Sequence, residues 1–364
     1  MAPTPANLTM DSIRKLLIVA AVSTLGLALV VVVLPSMLSN YVLGIGTIVL
    51  FTIPGAVALN IVFGLCGQIS AGNAAFLAIG AFIAAGMTHT WPDTPTILVL
   101  LAAASIGAIA GVLVGAPAVR VRGLLLLVST LAIHFIVLYL TERYQKNEVG
   151  QAGFLLPQFD ILGWQPLRTI EWFKTFGVFA ILSLLVMGAF RYSRLGRSWL
   201  AIRENETAAE VLGVRLMRAK LLAFVISSAL IAVQGALFAY YVGILQYETF
   251  AFDMVIQYIA IVIIGGLGSI PGTVVGATLV VSLPYLLRSL SENLKGSDGI
   301  AGFVDDNIFN IQRFTYGALI VVFLLFFPDG IESIVRRVWQ WLLGLFRGRG
   351  DDPVAPSEPA EVGA

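Results

Sequence analysis

Charged residues are scarce in this sequence. Of its 364 residues, 12% are Asp, Glu, Lys or Arg and 58% are hydrophobic, whereas a soluble globular domain carries about 25% charged residues. A chain so poor in charge cannot cover its surface in water, so most of it must lie in lipid. The formal net charge of +1 gives no indication of a nucleic-acid partner.

Cysteine and histidine are rarer still. The single cysteine, Cys66, cannot form an internal disulfide, and we interpret it as a small packing residue. His89 and His134 are isolated, and no His, Cys and Asp cluster has the spacing of metal ligands. We expect His89 to be exposed in an outer loop. His134 lies inside an apolar run and is therefore a functional candidate, although we favour a neutral, hydrogen-bonded side chain.

The sequence also lacks the motifs that would identify its own energy source. It contains no G-x-x-x-x-G-K-[ST] phosphate loop, so the chain is not expected to bind ATP or any other cofactor. None of its apolar runs carries an arginine series for voltage sensing or a chain of acidic residues for a proton relay. A nucleophile–base pair typical of an enzyme is missing too. Energy for any transport must come from elsewhere.

Long apolar runs are what the sequence does contain. A transmembrane helix needs about 20 apolar residues. Ten runs qualify or nearly qualify, and they cover 16–34, 41–63, 73–88, 97–118, 124–140, 173–190, 219–243, 254–265, 273–287 and 314–327. The first run is too long for a signal peptide and no cleavage site follows it, so we expect it to be retained. The pattern predicts an all-α, polytopic transmembrane helical bundle of about ten spans.

Basic residues predict the orientation of this bundle. Lys and Arg are concentrated in segment 191–220, which places that segment, and with it both termini, in the cytoplasm. The remaining divisions are a cytoplasmic N-terminus (1–15), a transmembrane domain (16–330), an amphipathic interfacial helix (331–349) and a disordered tail rich in Pro, Ala and acidic residues (350–364).

Two glycine-rich segments interrupt the apolar pattern without adding charge. Non-helical backbone at membrane depth is tolerated only where protein buries it or water wets it, and discontinuous helices often line substrate sites in transporters. Close helix packing through small residues is an alternative, compatible explanation. The candidate pathway or helix-break residues are Gly64, Gly67, Gln68, Ser70, Gly72, Asn73, Gly265, Gly266, Gly268, Ser269 and Gly272. Blocks 41–118 and 254–327, which contain the two breaks, form a possible internal repeat.

Segment 195–222 combines good helix formers with both signs of charge. Gly213 is placed to end a helix in it. The residues that would form a modest apolar face are Ala201, Ala208, Ala209 and Leu212. A short helix with such a face suits docking into a groove of a partner protein. The alternative is a solvated loop whose basic residues merely enforce the orientation.

The residues of the first break resemble the signature of a known protein family. Gly64–Phe76 (GLCGQISAGNAAF) resembles the G-Q-[LIV]-S-x-G-x-A-A-F signature of the high-affinity branched-chain amino-acid permease family of ABC importers. Three further stretches look like the same family, namely Pro117–Thr130, Leu195–Phe224 and Val262–Pro284. Their order and spacing match, and the resemblance covers roughly residues 41–330.

The resemblance implies a division of labour in a bacterial inner membrane. Importers of this family have two homologous permeases, of which this chain resembles the longer. They also have two cytoplasmic ATPase subunits that bind ATP and Mg²⁺, and an external solute-binding protein. Segment 191–220 would couple to the ATPase, through Arg197, Arg203, Glu204, Glu206, Ala208, Ala209 and Gly213.

The resemblance leaves the cargo open. Branched-chain amino acids are the default, and urea, short amides, and aromatic or other organic acids are alternatives within the family. The chain departs from the family at Asn73, where histidine is common, and in loop 141–172, where only Gly150 and Gly153 remain of a glycine-rich stretch. An ion-gradient-driven secondary transporter is the alternative outside the family, although the missing acidic relay residues count against it.

Overall fold

The computed structural model describes most of the apolar part of the chain. The described residues are 39–118, 120–121, 123–293 and 308–326. The predictions for the first apolar run and for the terminal segments lie outside these residues, at 1–15, 16–34, 331–349 and 350–364.

Helices make up almost all of the described chain. The α-helices, numbered in chain order over the described residues, are α1 (Asn40–Asn60), α2 (Asn73–Thr90), α3 (Thr96–Ala118), α4 (Leu124–Glu148), α5 (Thr169–Tyr192), α6 (Arg194–Glu204), α7 (Glu206–Val211), α8 (Leu216–Val242), α9 (Phe252–Gly265), α10 (Ile270–Asn293) and α11 (Ile308–Phe326). A π-helical turn, Ile61–Leu65, continues α1, and two 3₁₀ turns cover Gly150–Ala152 and Tyr247–Phe250. The strands β1 (Phe154–Leu155) and β2 (Ile244–Leu245) pair antiparallel.

The predicted all-α polytopic bundle is confirmed. Within the described residues, seven helical segments are long and apolar enough to cross a membrane, and Ile270–Leu286 in α10 is a shorter apolar helix. The predicted and observed ends of the helices differ most at α4. The apolar run was predicted to end at 140, whereas the helix continues to Glu148. The first residues of the predicted outer loop are therefore about two further turns of helix.

The helices differ widely in how much of their surface the bundle encloses. In the most apolar window of α1 with its π-helical turn, 89% of the residues are buried, against 22% in α3 and in α4. Large apolar side chains such as Leu113 and Leu125 stay exposed on these two helices. Helix α1 thus lies in the interior, while α3 and α4 lie at the periphery, where lipid or another chain covers them.

Small residues allow the central helices to approach closely. Helix α8 packs along both α2 and α3. At the α2–α8 crossing, a Cβ on Gly80 would overlap the carbonyl oxygen of Ala232, and a Cβ on Gly235 would overlap the carbonyl oxygen of Leu77. Lipid is as apolar as the side chains, so tight packing of this kind stabilises membrane bundles where the hydrophobic effect does not.

Substitution of Gly80 tests this crossing. Gly80→Ala places a methyl group against the Ala232 carbonyl, and we expect it to destabilise the bundle by about 1–3 kcal/mol. Gly44→Ala in α1 is the matched control, because no atom lies within 4 Å of the added Cβ. Thermal unfolding in detergent should show a lower melting temperature for Gly80→Ala only. Equal melting temperatures would contradict a tight backbone crossing.

Candidate functional site

The first helix break covers residues 61–72. After α1 the backbone widens into the π-helical turn Ile61–Leu65, a geometry frequent at functional sites. Gly67 then adopts a φ of +72°, which favours glycine. Helix α2 starts at Asn73, so the predicted break is confirmed, with Asn73 as the first helical residue after it.

The second break is shorter and joins α9 to α10. Gly266 and Gly268 have φ values of +105° and +80°, and both conformations favour glycine. Gly265 and Gly272 lie where the two helices cross, and a Cβ on either would overlap the carbonyl oxygen of the other. These four predicted glycines are therefore needed for backbone conformation or for close approach.

The side chain of Asn60 joins the two breaks. Its Nδ2 donates to the Ser269 carbonyl (3.2 Å) and to Thr273 Oγ1 (2.7 Å), and its Oδ1 accepts from the Gly268 N–H (2.7 Å). The amide is fully buried. Gly64 lies beside it, and a Cβ there would overlap both Asn60 and Gly268. Within lipid such backbone groups need partners from the protein itself, and Asn60 supplies them.

Two arginines bind the carbonyl groups of the breaks. Arg203 Nη1 donates to the Gly64 carbonyl and, at 3.4 Å, to the Leu267 carbonyl. Arg191 Nη1 donates to the Gly268 carbonyl. The Gly64 carbonyl lies near the end of the π-helical turn, where carbonyls lack partners in the helix and carry partial negative charge. The Leu267 and Gly268 carbonyls lie between α9 and α10, outside either helix, so a guanidinium supplies a donor in each case. Segment 191–220 therefore contacts both breaks, at what we name the loop end of the bundle.

Between the end of α5 and the start of α8, segment 191–220 folds as two helices, α6 and α7. Asn205 separates them and caps α7, since its Oδ1 accepts from the Ala208 N–H at 3.0 Å. Gly213 follows α7 with a φ of +86°, which confirms its predicted place at the helix end. Lys220, which is 4% exposed, pairs with Glu206 at 2.6 Å and so ties α7 to α8.

The predicted apolar face of this segment is wrong for two of its four members. Its proposed members were Ala201, Ala208, Ala209 and Leu212. The turn at Asn205 places Ala201 on α6, and Ala209 is only 1% exposed because it packs against the bundle. Ala208 and Leu212 are exposed as predicted, and beside Leu212, which is 81% exposed, Val211 at the end of α7 is 83% exposed.

Two of the other predicted residues of the first break line a small cavity. Ser70 and Asn73 line it together with Ser227 of α8, and it has room for about one water molecule. Among the described residues, the side-chain amides of Asn73 and Gln68 have no hydrogen-bond partner. Cys66 is buried with a free thiol, consistent with a packing residue.

The remaining predicted residues have separate roles. Gly72 is near Thr130 of α4, whose Oγ1 accepts from the N–H of Ala71 at 2.9 Å. Arg197 is exposed and donates to the Tyr192 carbonyl at 3.2 Å, away from the breaks. Glu204 is exposed at the end of α6.

The two histidines differ from their predicted environments. His134 is 1% exposed, and neither ring nitrogen has a hydrogen-bond partner among the residues that the structure describes. The predicted hydrogen-bonded side chain is therefore wrong. His89 is exposed as expected, but it lies in the last turn of α2 rather than in a loop, with its ring edge-on to Phe154 at 5.5 Å.

Sequence reasoning left Asn60, Arg191 and Thr130 out of the site. Asn60 carried a usable signal, because it is the one amide side chain in the apolar run 41–63, and a polar group in a membrane helix is expected to have a function or a partner. Arg191 was read only as part of the basic segment. Nothing in the local sequence of Thr130 indicates that it binds the backbone of the first break.

Comparison with known proteins gives a family match over most of the chain. Residues 37–324 match the family described as branched-chain amino acid transport system, permease component. LivM, the high-affinity branched-chain amino acid transport permease of Escherichia coli K12, is 30% identical over 92% of this chain and 79% of its own. LivH, a permease of the same description from the same strain, is 26% identical over 76% of this chain and 89% of its own.

A more partial match covers about a third of the chain. The autoinducer 2 import permease LsrC of Enterobacter sp. strain 638 is 32% identical over 34% of this chain and 38% of its own. No solved structure matches the chain.

Removal of the Asn60 amide tests the junction between the breaks. Asn60→Leu leaves the buried Gly268 N–H without its partner and removes one of the donors to the Ser269 carbonyl, and we expect a loss of about 3 kcal/mol in the free energy of unfolding. Hydrogen exchange of the amides at 266–273 should become faster. Asn147→Leu, at an exposed position of α4, should leave both measurements unchanged. Wild-type exchange at 266–273 in Asn60→Leu would show that the amide does not hold the second break.

Proposed function

This chain belongs to the branched-chain amino-acid transport permease family of ABC importers, and we propose that it forms the pathway for amino acids, branched-chain by default. It is a multi-pass membrane protein. We propose a bacterial inner membrane as its location, with an external solute-binding protein that delivers the cargo.

The energy for transport comes, in this proposal, from partner chains. The sequence has no phosphate loop, so two ATPase subunits on the cytoplasmic side hold ATP and Mg²⁺, and ATP hydrolysis takes place there. A second homologous permease completes the membrane part, as the two kinds of related permease, LivM and LivH, suggest. The basic residues of the loop end favour its location in the cytoplasm, with both termini on that side.

The observation that carries the proposal is the contact of segment 191–220 with both helix breaks. Val211 and Leu212 project from α7 and are available to a groove of the ATPase. Trp199 anchors α6, since its Nε1 donates to the Ala219 carbonyl at 2.7 Å and its ring is fully buried. Arg203, about one turn further along α6, reaches the breaks. Displacement of α7 by the ATPase would thus reach the backbone of the pathway.

The cargo assignment follows the full-length relatives. LivM and LivH are both described as branched-chain amino acid permeases, whereas the autoinducer 2 permease matches over a third of the chain. Urea, short amides, and aromatic or other organic acids stay as alternatives, and uptake assays with the purified binding protein distinguish them.

Charged residues on α7 should prevent docking of the ATPase. In Val211→Asp/Leu212→Asp, two exposed apolar side chains become carboxylates that would be desolvated in the interface. We expect binding of the ATPase and ATP-driven uptake to fall at least about tenfold, measured by co-purification and by uptake in proteoliposomes. Leu162→Asp is the control, because Leu162 is fully exposed in the loop at the opposite end. Normal uptake in the double variant, or after replacement of 206–213 by a Gly/Ser linker, would contradict the coupling role.

Loss of the Arg203 guanidinium should separate hydrolysis from transport. Arg203→Gln leaves α7 intact but removes the donor to the Gly64 carbonyl. We expect the ATPase to co-purify normally while the number of cargo molecules per ATP hydrolysed falls about tenfold, the equivalent of about 1.4 kcal/mol. Arg194→Gln, at an exposed position on the same helix, should keep the wild-type ratio. An unchanged ratio in Arg203→Gln would exclude the arginine as the link.

A further inference from the structure

The small cavity at the first break lies where the break meets α1, α2 and α8. Its walls include Leu59 of α1, Ser70 of the break, Asn73 of α2, and Phe224 and Ser227 of α8. The three polar residues among them are each at most 5% exposed. One wall of the cavity is therefore made of buried polar side chains.

The amide of Asn73 lacks hydrogen bonds at this cavity. Asn73 is 3% exposed, and neither its Oδ1 nor its Nδ2 has a partner among the residues that the structure describes. Folded proteins rarely leave a buried amide in this state, because the group has lost its contacts with water. Asn60, just before the same break, has protein partners for both atoms of its amide. The contrast points to a small ligand in the cavity that Asn73 lines.

The two serines have hydrogen-bonding capacity to spare. A hydroxyl group offers one donor and two acceptor sites. Ser70 Oγ accepts from the Gly72 N–H at 3.3 Å, and its own proton has no acceptor in the described part of the chain. Ser227 Oγ donates to the Ala58 carbonyl at 2.7 Å, and its oxygen is still able to accept. The serines thus offer a donor and an acceptor to the same space.

The position of the cavity at the start of α2 restricts what can bind there. The N-cap of α2 is Gly72, which has no side chain to cap the first N–H groups, and the N-terminus of a helix carries partial positive charge. The described residues that line the cavity include no Asp or Glu, so a cation is disfavoured. The cavity has room for about one water molecule, which excludes organic molecules and polyatomic anions.

We propose that one ordered water molecule occupies this cavity, bound by Ser70, Asn73 and Ser227. The water accepts from the Ser70 hydroxyl and donates to Ser227 Oγ. Its third hydrogen bond is with the Asn73 amide, which has both a donor and an acceptor. Three polar partners are typical of a buried water, and such waters are part of the fold. The inference goes beyond the proposed function, since it depends neither on the cargo nor on the ATPase.

The water would connect the two sides of the first break. Ser227 already binds the Ala58 carbonyl in the last turn of α1, before the break. Ser70 lies within the break, and Asn73 is the first residue of α2 after it. A water shared by these side chains therefore ties both helix ends to α8, as Asn60 ties the first break to the second.

Nuclear magnetic resonance of the full chain in lipid nanodiscs tests for the water directly. With nitrogen-15 in the asparagine side chains, the Asn73 amide should show a nuclear Overhauser peak at the water frequency. Asn60 is the matched control and should show none, because its partners are protein groups. One of them is the Thr273 hydroxyl, so a signal relayed through hydroxyl exchange would appear at Asn60 as well. A missing peak at Asn73, or equal peaks at both residues, would overturn the proposal.

Replacement of the amide has opposite effects on a hydrated and on a dry cavity. If water is bound, Asn73→Leu places an apolar group against it, and the melting temperature should fall by about 2–4 °C. In a dry cavity the same change removes an unsatisfied amide and fills space, so the melting temperature should rise. Asn147→Leu, at an exposed position of α4, should have no effect. A rise for Asn73→Leu would exclude the water.

A second substitution tests whether the polar residues share one ligand. Ser70→Ala removes another partner of the water, so its loss in melting temperature should not add to that of Asn73→Leu when the two changes are combined. The structure gives no direct hydrogen bond between these two side chains. Additive losses would contradict a shared water.

A change of salt distinguishes water from a metal cation. The melting temperature of the wild type should agree within about 1 °C between sodium chloride and choline chloride at equal ionic strength. A higher value in sodium chloride that Asn73→Leu abolishes would identify a bound alkali cation and rule out water as the occupant.

Discussion

The hydrogen bonds of the Asn60 amide are the interaction on which the loop end of this protein depends. They connect residues more than 200 positions apart in the chain, since Asn60 and Gly268 are separated by 208. In lipid a helix cannot be interrupted unless another part of the protein binds the freed N–H and C=O groups. Each break in this bundle meets that requirement through side chains from other segments, Asn60 and Arg191 at the second break and Thr130 and Arg203 at the first.

The same requirement connects the two helix breaks with segment 191–220. The carbonyls at the breaks need cationic or donor partners, and the arginines that supply them belong to segment 191–220. A loop that only enforced orientation would not need to insert side chains among the helix ends. Its two helices are held to α8 by Trp199 and by the Lys220–Glu206 pair. The arrangement therefore behaves as a connected unit rather than as a flexible link.

The structure gives physical reasons for the glycines of the family signature. Gly64 leaves room for the contact with Gly268, Gly67 adopts a positive φ, and Gly72 comes next to Thr130 of α4. Such constraints concern the closure of the break and not the identity of a cargo. The possible repeat of blocks 41–118 and 254–327 stays a hypothesis, although both contain a helix, a glycine-rich break and a second helix.

The sequence by itself determined the local features. Apolar length predicted the helices, and the glycines at 67, 266, 268 and 213 predicted where they are interrupted or end, because a positive φ is a property of a single residue. Only the tertiary structure decided what fills each break and which way each side chain faces. A membrane helix is apolar on every side, so the periodicity that reveals the buried face of a soluble helix is weak. The partner of Asn60, the exposure of Val211 and the burial of His134 therefore depended on which helices pack together.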